Sequence, residues 1–130
     1  MHWKFSGIVK KHLGRGTKLG FPTANIRLNQ PRKLIPKKGV YVVCAGLADQ
    51  QHFGVMNIGQ RPTLAPGELS LEVHLFDFSD TIYHQPIQVE LLHYLREERK
   101  FADKDELIQQ IQLDSLNARA WLAAAENKRT

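Results

Sequence analysis

A single cysteine, Cys44, is all the sequence holds, which excludes a disulfide within the chain and any zinc site built on several thiolates. The six histidines show no metal-ligand spacing. No apolar run approaches the roughly 18 residues that a membrane helix needs. The opening MHWKFSGIVKK lacks the apolar core and cleavage site of a signal peptide. A reducing, cytoplasmic setting is the expectation, and Cys44, in GVYVVCAGLA, reads as a small core residue. Negative charge is missing from a whole third of the chain. Ten basic residues (Lys4, Lys10, Lys11, Arg15, Lys18, Arg27, Arg32, Lys33, Lys37 and Lys38) precede the first acid, Asp49, and all thirteen acids follow. Such a third suits a solvated surface, a nucleic-acid face or a nucleotide phosphate site.

What is present describes an ordinary globular chain: 130 residues, 42% hydrophobic and 24% charged. Residues 1–130 are expected to form a single domain with one core. Six short runs with strand character follow one another: WKFSGIVK, ANIRL, GVYVVCAGLA, HFGVMNI, LSLEVHLFDF and IQVELLHYL. No helix separates them, so the expected fold is mainly β, a six-stranded antiparallel Greek-key barrel. Closure is favoured because it leaves no sheet edge in so small a domain. The period then changes. Asp103, with Glu106 three residues on, opens a helix over about 103–125 in the manner of a capping box. Leu107, Ile108, Ile111, Ser115, Ala118 and Leu122 fall on one stripe that can pack on the barrel.

Chemistry concentrates in a few stretches. HLGRGTKLGFPTAN lacks the Gly-x-x-x-x-Gly-Lys-Ser/Thr of a Walker loop, and its third glycine falls one residue too late for a dinucleotide fingerprint. On the strand after Pro22, Thr23 and Asn25 share a face. Their hydroxyl and carboxamide oxygens are hard ligands suited to Mg²⁺, while the backbone at Gly14 and Gly16 and the Lys18 ammonium can neutralise phosphates. On spacing alone, a plain polar strand face with two ordinary polar residues is the favoured reading. In LSLEVHLFDF, Leu69, Leu71, Val73 and Leu75 alternate with Ser70, Glu72, His74 and Phe76. Glu72 and His74 thus stand side by side, and either can take a proton from a hydroxyl, although an isolated Glu-x-His is more commonly a solvent-facing strand surface. YLREERKF reads as a solvated turn or as a flap whose Arg96 and aromatics close on a flat ligand. NIGQRPT reads as a strand end with a Pro turn.

Taken together and in order, GRGTKLGFPTANI, LIPKKGVYVV, GVMNIGQRPT, LEVHLFDF, LREERKF and ELIQQIQLD resemble the riboflavin kinases, both free-standing enzymes and the C-terminal module of bifunctional FAD synthetases. The Gly16-Thr17-Lys18 sequence is closer to the Gly-Arg-Gly-Ser-Lys loop of eukaryotic members than to the Gly-Arg of many bacterial ones. The resemblance implies transfer of the γ-phosphoryl group of ATP to the 5′-hydroxyl of riboflavin, giving FMN and ADP. It assigns the general base to Glu72, Mg²⁺ and nucleotide phosphates to Thr23 and Asn25 with Gly14, Gly16 and Lys18, and the flavin to Arg96 and His74. A monomer without nucleic-acid or membrane partners is expected. Other readings are a module of a bifunctional synthetase and a non-catalytic basic barrel binding flavin or nucleic acid. Against nucleic acid, the Arg32-Lys33 and Lys37-Lys38 pairs have no adjacent aromatic for base stacking.

Overall fold

A computed structural model describes residues 3–10, 24–28, 37–59, 69–77 and 84–128. Six strands occur in chain order: β1 (Trp3–Lys10), β2 (Ala24–Leu28), β3 (Gly39–Leu47), β4 (Gln50–Gly59), β5 (Ser70–Leu75) and β6 (Pro86–Arg96). One helix, α1 (Lys104–Asn127), follows. The strands close into a barrel in the order β1-β2-β5-β4-β3-β6, every neighbouring pair antiparallel. β3, β4 and β5 form consecutive hairpins and β6 returns beside β3, which is the Greek-key arrangement.

The alternation read from sequence is the alternation of burial. In β1, Phe5, Gly7 and Val9 point inward while Lys4, Ser6, Ile8 and Lys10 are exposed. The interior is filled by Phe5, Val9, Met56, Ile58, Val73, Ile87 and Val89, all at or below 2% exposure, together with further aliphatic side chains. Turns are tight where the chemistry forces them. Leu47 pairs with Gln50, so Ala48 and Asp49 are the whole β3–β4 turn, with φ of 48° and 64°. Two positive values in sequence are the mark of a type I′ turn, occupied here by residues that adopt left-handed backbone at a cost.

β6 departs from period two. Its register against β3 shifts between Val42 and Val43 and again between Val40 and Tyr41. Each shift inserts an extra residue, Leu92 and then Leu95, as β-bulges do. Leu91 and Tyr94 consequently face the interior, while Leu92, His93, Leu95 and Arg96 all turn outward. The bulges thus give one strand a broad outer face on which a helix can sit. Leu92 and Leu95 join Val42, Val55 and Phe76 beneath Ala118, Trp121 and Leu122. His93 stacks on Trp121 with ring centroids 5.0 Å apart.

The structure adds to one sequence reading and corrects another. The stripe of α1 that meets the barrel includes an acid, since Asp114 is 5% exposed alongside Leu107 and Ala118. Cys44 is half-buried and lies on the outer side of β3, between the inward Val43 and Ala45. Asp103 caps α1, its carboxylate accepting the Glu106 N–H at 2.9 Å.

Candidate active site

The site follows from register. Asn25 on β2 pairs with Glu72 on β5, Glu72 with Asn57 on β4, Asn57 with Val40 on β3, and Val40 with Arg96 on β6. On the other flank Asn25 pairs with Lys10 of β1. In each of β1, β4 and β5 the residues flanking these positions fill the core, so Lys10, Glu72 and Asn57 face outward; Ile26 does the same for Asn25. A single cross-strand row therefore runs around the barrel: Lys10, Asn25, Glu72, Asn57, Val40, Arg96. Directly opposed side chains in antiparallel ladders have Cβ atoms about 4.5–5.5 Å apart, so each polar member touches the space of the next.

Sequence reasoning paired Glu72 with His74, and both lie on the outer face of β5. His74 is opposite Val55 and edge-on to Phe76 at 5.9 Å, on the side of Glu72 toward the apolar cluster under α1. Thr23, Gly14, Gly16 and Lys18 lie outside the described residues, as does the turn after NIG.

Three further polar groups emerge only from the fold. Lys10 is an exposed cation beside Asn25. Asn57 has a buried Oδ1 without a hydrogen-bond partner among the described residues, and Ser70, 8% exposed, has a buried Oγ in the same condition. Oε1 of Glu72 is buried between them and Asn25. The signal for Asn57 and Ser70 was present as alternation, but their meeting with Glu72 depends on non-local pairing.

Arg96 is the last residue of β6, and its guanidinium is engaged with α1. Nε and Nη2 donate to the two oxygens of Asp114 at 2.8 and 2.7 Å, and Nη1 donates to the Glu97 carbonyl at 2.9 Å. Gln110 donates to the same carboxylate at 2.9 Å. Beyond it, the Glu98 carboxylate lies against Gly59 so closely that a methyl group there would overlap it. Arg99 bonds Glu106 and Gln110 at 2.8 and 2.6 Å. Residues 97–101 therefore run between α1, which Arg99 bonds, and the end of β4, where Glu98 lies, with the Arg96–Asp114 pair at their root.

At the same end of the barrel Tyr41 donates to the Lys37 carbonyl at 2.6 Å and meets Tyr94 edge-on at 5.2 Å. The Lys37 ammonium stands 4.0 Å from the Tyr94 ring centre. Burial, then the neighbouring Tyr94, push the Tyr41 hydroxyl above the usual tyrosine value. Burial, then Glu90, push the Cys44 thiol up in the same way. Among the described residues no group of three or more His, Cys, Asp or Glu side chains can hold a metal. No helix there is long and apolar enough to cross a membrane.

Comparison with known proteins bears on the family and the fold. The family model described as Flavokinase, riboflavin kinase, matches residues 1–122. The bifunctional riboflavin kinase/FMN adenylyltransferase of Haemophilus influenzae is 49% identical over 107 residues, covering 82% of this chain and 34% of that protein. The chain thus spans about one third of the length of the curated relatives it first matches. Among solved structures, a chain described as a macrolide-efflux protein from Streptococcus pneumoniae superposes with a TM-score of 0.82 at 31% identity, covering 91% of this chain and 38% of that one. Riboflavin kinase from Trypanosoma brucei has the same fold, with a TM-score of 0.65 at 19% identity over 94% of this chain and 80% of that one. A match across 122 residues, on a six-stranded barrel carrying the row of Asn25 and Glu72, puts this chain in the riboflavin kinase family.

Proposed function

We propose that this chain phosphorylates riboflavin at its 5′-hydroxyl with ATP, giving FMN and ADP. The observation that carries the reading is the pairing of Asn25 with Glu72 on the outer face of the barrel. An amide oxygen and a carboxylate from two of the family's motifs meet there, although 46 residues separate them (72 − 25 − 1). Phosphoryl transfer asks little covalent chemistry of a protein. It needs positioned reactants, compensated phosphate charge and a base at the acceptor.

Each residue has a stated part. Glu72 accepts the proton of the 5′-hydroxyl as that oxygen bonds to the γ-phosphorus and the bond to the ADP oxygen breaks. Asn25 and Thr23 face the nucleotide phosphates, and Lys18 with the backbone of Gly14 and Gly16 offsets their charge. Lys10, beside Asn25, adds a cation to the same side. The donors suit Mg²⁺: they are neutral hard oxygens, and this ion commonly takes one or two protein ligands and fills its sphere with water and phosphate. A Mg²⁺ ion held there by Asn25 and Thr23 would supply Lewis-acid compensation of the phosphate charge. His74 borders the flavin beside Glu72. Arg96 serves the flavin indirectly, by fixing residues 97–101 through Asp114.

The test is direct. Incubation with riboflavin and MgATP should yield FMN, separated by chromatography. Glu72→Gln keeps size and hydrogen bonding but cannot take the proton, so kcat should fall about 10²–10⁴-fold, with the melting point within a degree or so. Full activity in Glu72→Gln would remove the base from this position, and absence of FMN with the wild type would remove the reading.

A further inference from the structure

The row across the barrel has an order, and the order carries information. Glu72 is flanked by Asn25 on one side and Asn57 on the other, with neighbouring strands about 4.8 Å apart. Given the function proposed above, on which this inference rests, the nucleotide phosphates lie on the Asn25 side of the base. In-line transfer puts the entering oxygen opposite the leaving one. The acceptor must then approach Glu72 from the far side, over β4.

What waits on that side is an unsatisfied acceptor. Among the described residues the Oδ1 of Asn57 is buried with no hydrogen-bond partner, and so is the hydroxyl oxygen of Ser70, one diagonal step away on β5. Leaving such groups unmade costs a fold free energy. The next neighbour beyond Asn57 is the apolar Val40, which offers no side-chain donor. The next neighbour of Ser70 is Gly59, against which the Glu98 carboxylate lies. Asn57 therefore stands between a carboxylate and an aliphatic wall, presenting an oxygen that needs a donor.

We propose that the Asn57 carboxamide oxygen, with the Ser70 hydroxyl beside it, receives hydroxyl groups of the acceptor's polyol chain and so holds the terminal hydroxyl over Glu72. Asn57 is on this view a specificity-determining residue: it reads the hydroxylated chain, not the flavin ring. A polyol is the chemically matched partner, because every carbon carries an O–H donor that an isolated buried oxygen can accept. The carboxamide is also neutral, so it meets the chain without setting a second negative charge beside Glu72.

Flavin fluorescence titrations with MgADP present measure the affinity of two probes: riboflavin, and lumiflavin, which has the same ring and no polyol chain. Asn57→Leu, nearly isosteric, should weaken riboflavin binding about three- to tenfold, the range for one lost hydrogen bond, and leave lumiflavin unchanged. Asn57→Ser, which restores an oxygen, should recover part of the loss, and the KM for ATP should stay at the wild-type value in both. Thermal melts show that each variant is folded. Equal weakening of both flavins, or no change in riboflavin, overturns the assignment, as does a shifted Mg²⁺ dependence with unchanged riboflavin affinity, which would make Asn57 a metal ligand. A wild type that makes FMN while the variants behave like it refutes only the role of Asn57; a wild type that neither binds riboflavin nor makes FMN removes the functional reading as well.

Discussion

Asp114→Ala is the substitution with the largest expected consequence for the fold. Asp114 is buried on the barrel side of α1, and its two oxygens accept from Arg96 at 2.8 and 2.7 Å and from Gln110 at 2.9 Å. Removing the carboxylate takes the acceptor from Nε and Nη2 of a largely buried guanidinium and from the Gln110 amide, leaving only the Nη1 bond to the Glu97 carbonyl. Breaking a buried pair from one side costs about 3–5 kcal/mol. For a domain of this size 1 kcal/mol moves the midpoint by about 3–5 °C, so the melting temperature should drop by roughly 10 °C or more. Replacing both partners is different in kind: Arg96→Met with Asp114→Leu leaves no stranded charge and should recover most of the loss. Urea unfolding followed by circular dichroism gives both values. A loss below about 1 kcal/mol in Asp114→Ala, or a double variant worse than the sum of its singles, would refute the view that this pair ties the helix to β6. Because residues 97–101 hang from the same tie, the KM for riboflavin should rise in the single variant before the KM for ATP does.

Other expectations follow from features equally local. A methyl group at Gly54 would overlap the His74 carbonyl, whereas one at Gly46 meets only ordinary contacts at 4.0 Å; Gly54→Ala should destabilise the barrel far more than Gly46→Ala, and equal urea midpoints would contradict the close β4–β5 approach. Replacing Ala48-Asp49 by Asn-Gly, which suits positive φ at both positions, should stabilise by about 1 kcal/mol, read as a higher midpoint with an unchanged slope. The raised Cys44 thiol should alkylate more slowly with iodoacetamide in the folded protein than in the urea-unfolded chain below about pH 9, and equal rates would argue against it. For Tyr41 the sign is clear: its folded value lies above the unfolded 10.0, so the native state keeps a proton that the unfolded chain releases. That contribution is intact below pH 10 and is lost as pH rises past the folded value; Tyr41→Phe should flatten the alkaline decline in stability.

The barrel was legible because its strands obey a rule that acts locally. β1 shows it most plainly, with core and exposed residues alternating without a break. β6 was legible as a strand but not in its geometry. Its IQVELLHYL run contains two residues more than the ladder can use, and the bulges that absorb them appear only against β3. Asp114 escaped for a related reason: an acid on an apolar helix stripe looks like an interruption until the arginine that neutralises it is brought across 18 positions. Glu72 and Asn25 were singled out by their motifs. Asn57 was not singled out, because NIG carries no chemistry until strand register sets it beside a carboxylate.

The β2–β5 seam has a consequence for how the proposed kinase site forms. Among the described residues β2 is the shortest strand, and it joins β5 through only Ala24–Val73 and Asn25–Glu72. These partners are also distant in sequence, so bringing them together is the kind of late, entropically costly closure expected of non-local β pairing. A chain with every other hairpin in place but this seam unzipped would look nearly native by secondary structure. It would nevertheless hold Asn25 and Glu72 apart. Gain of activity during refolding should therefore lag the recovery of β signal, and should coincide with protection of the β2 amides from hydrogen exchange. Ligands that span the seam should act as a stitch, slowing its opening selectively while exchange elsewhere in the barrel keeps its own pace.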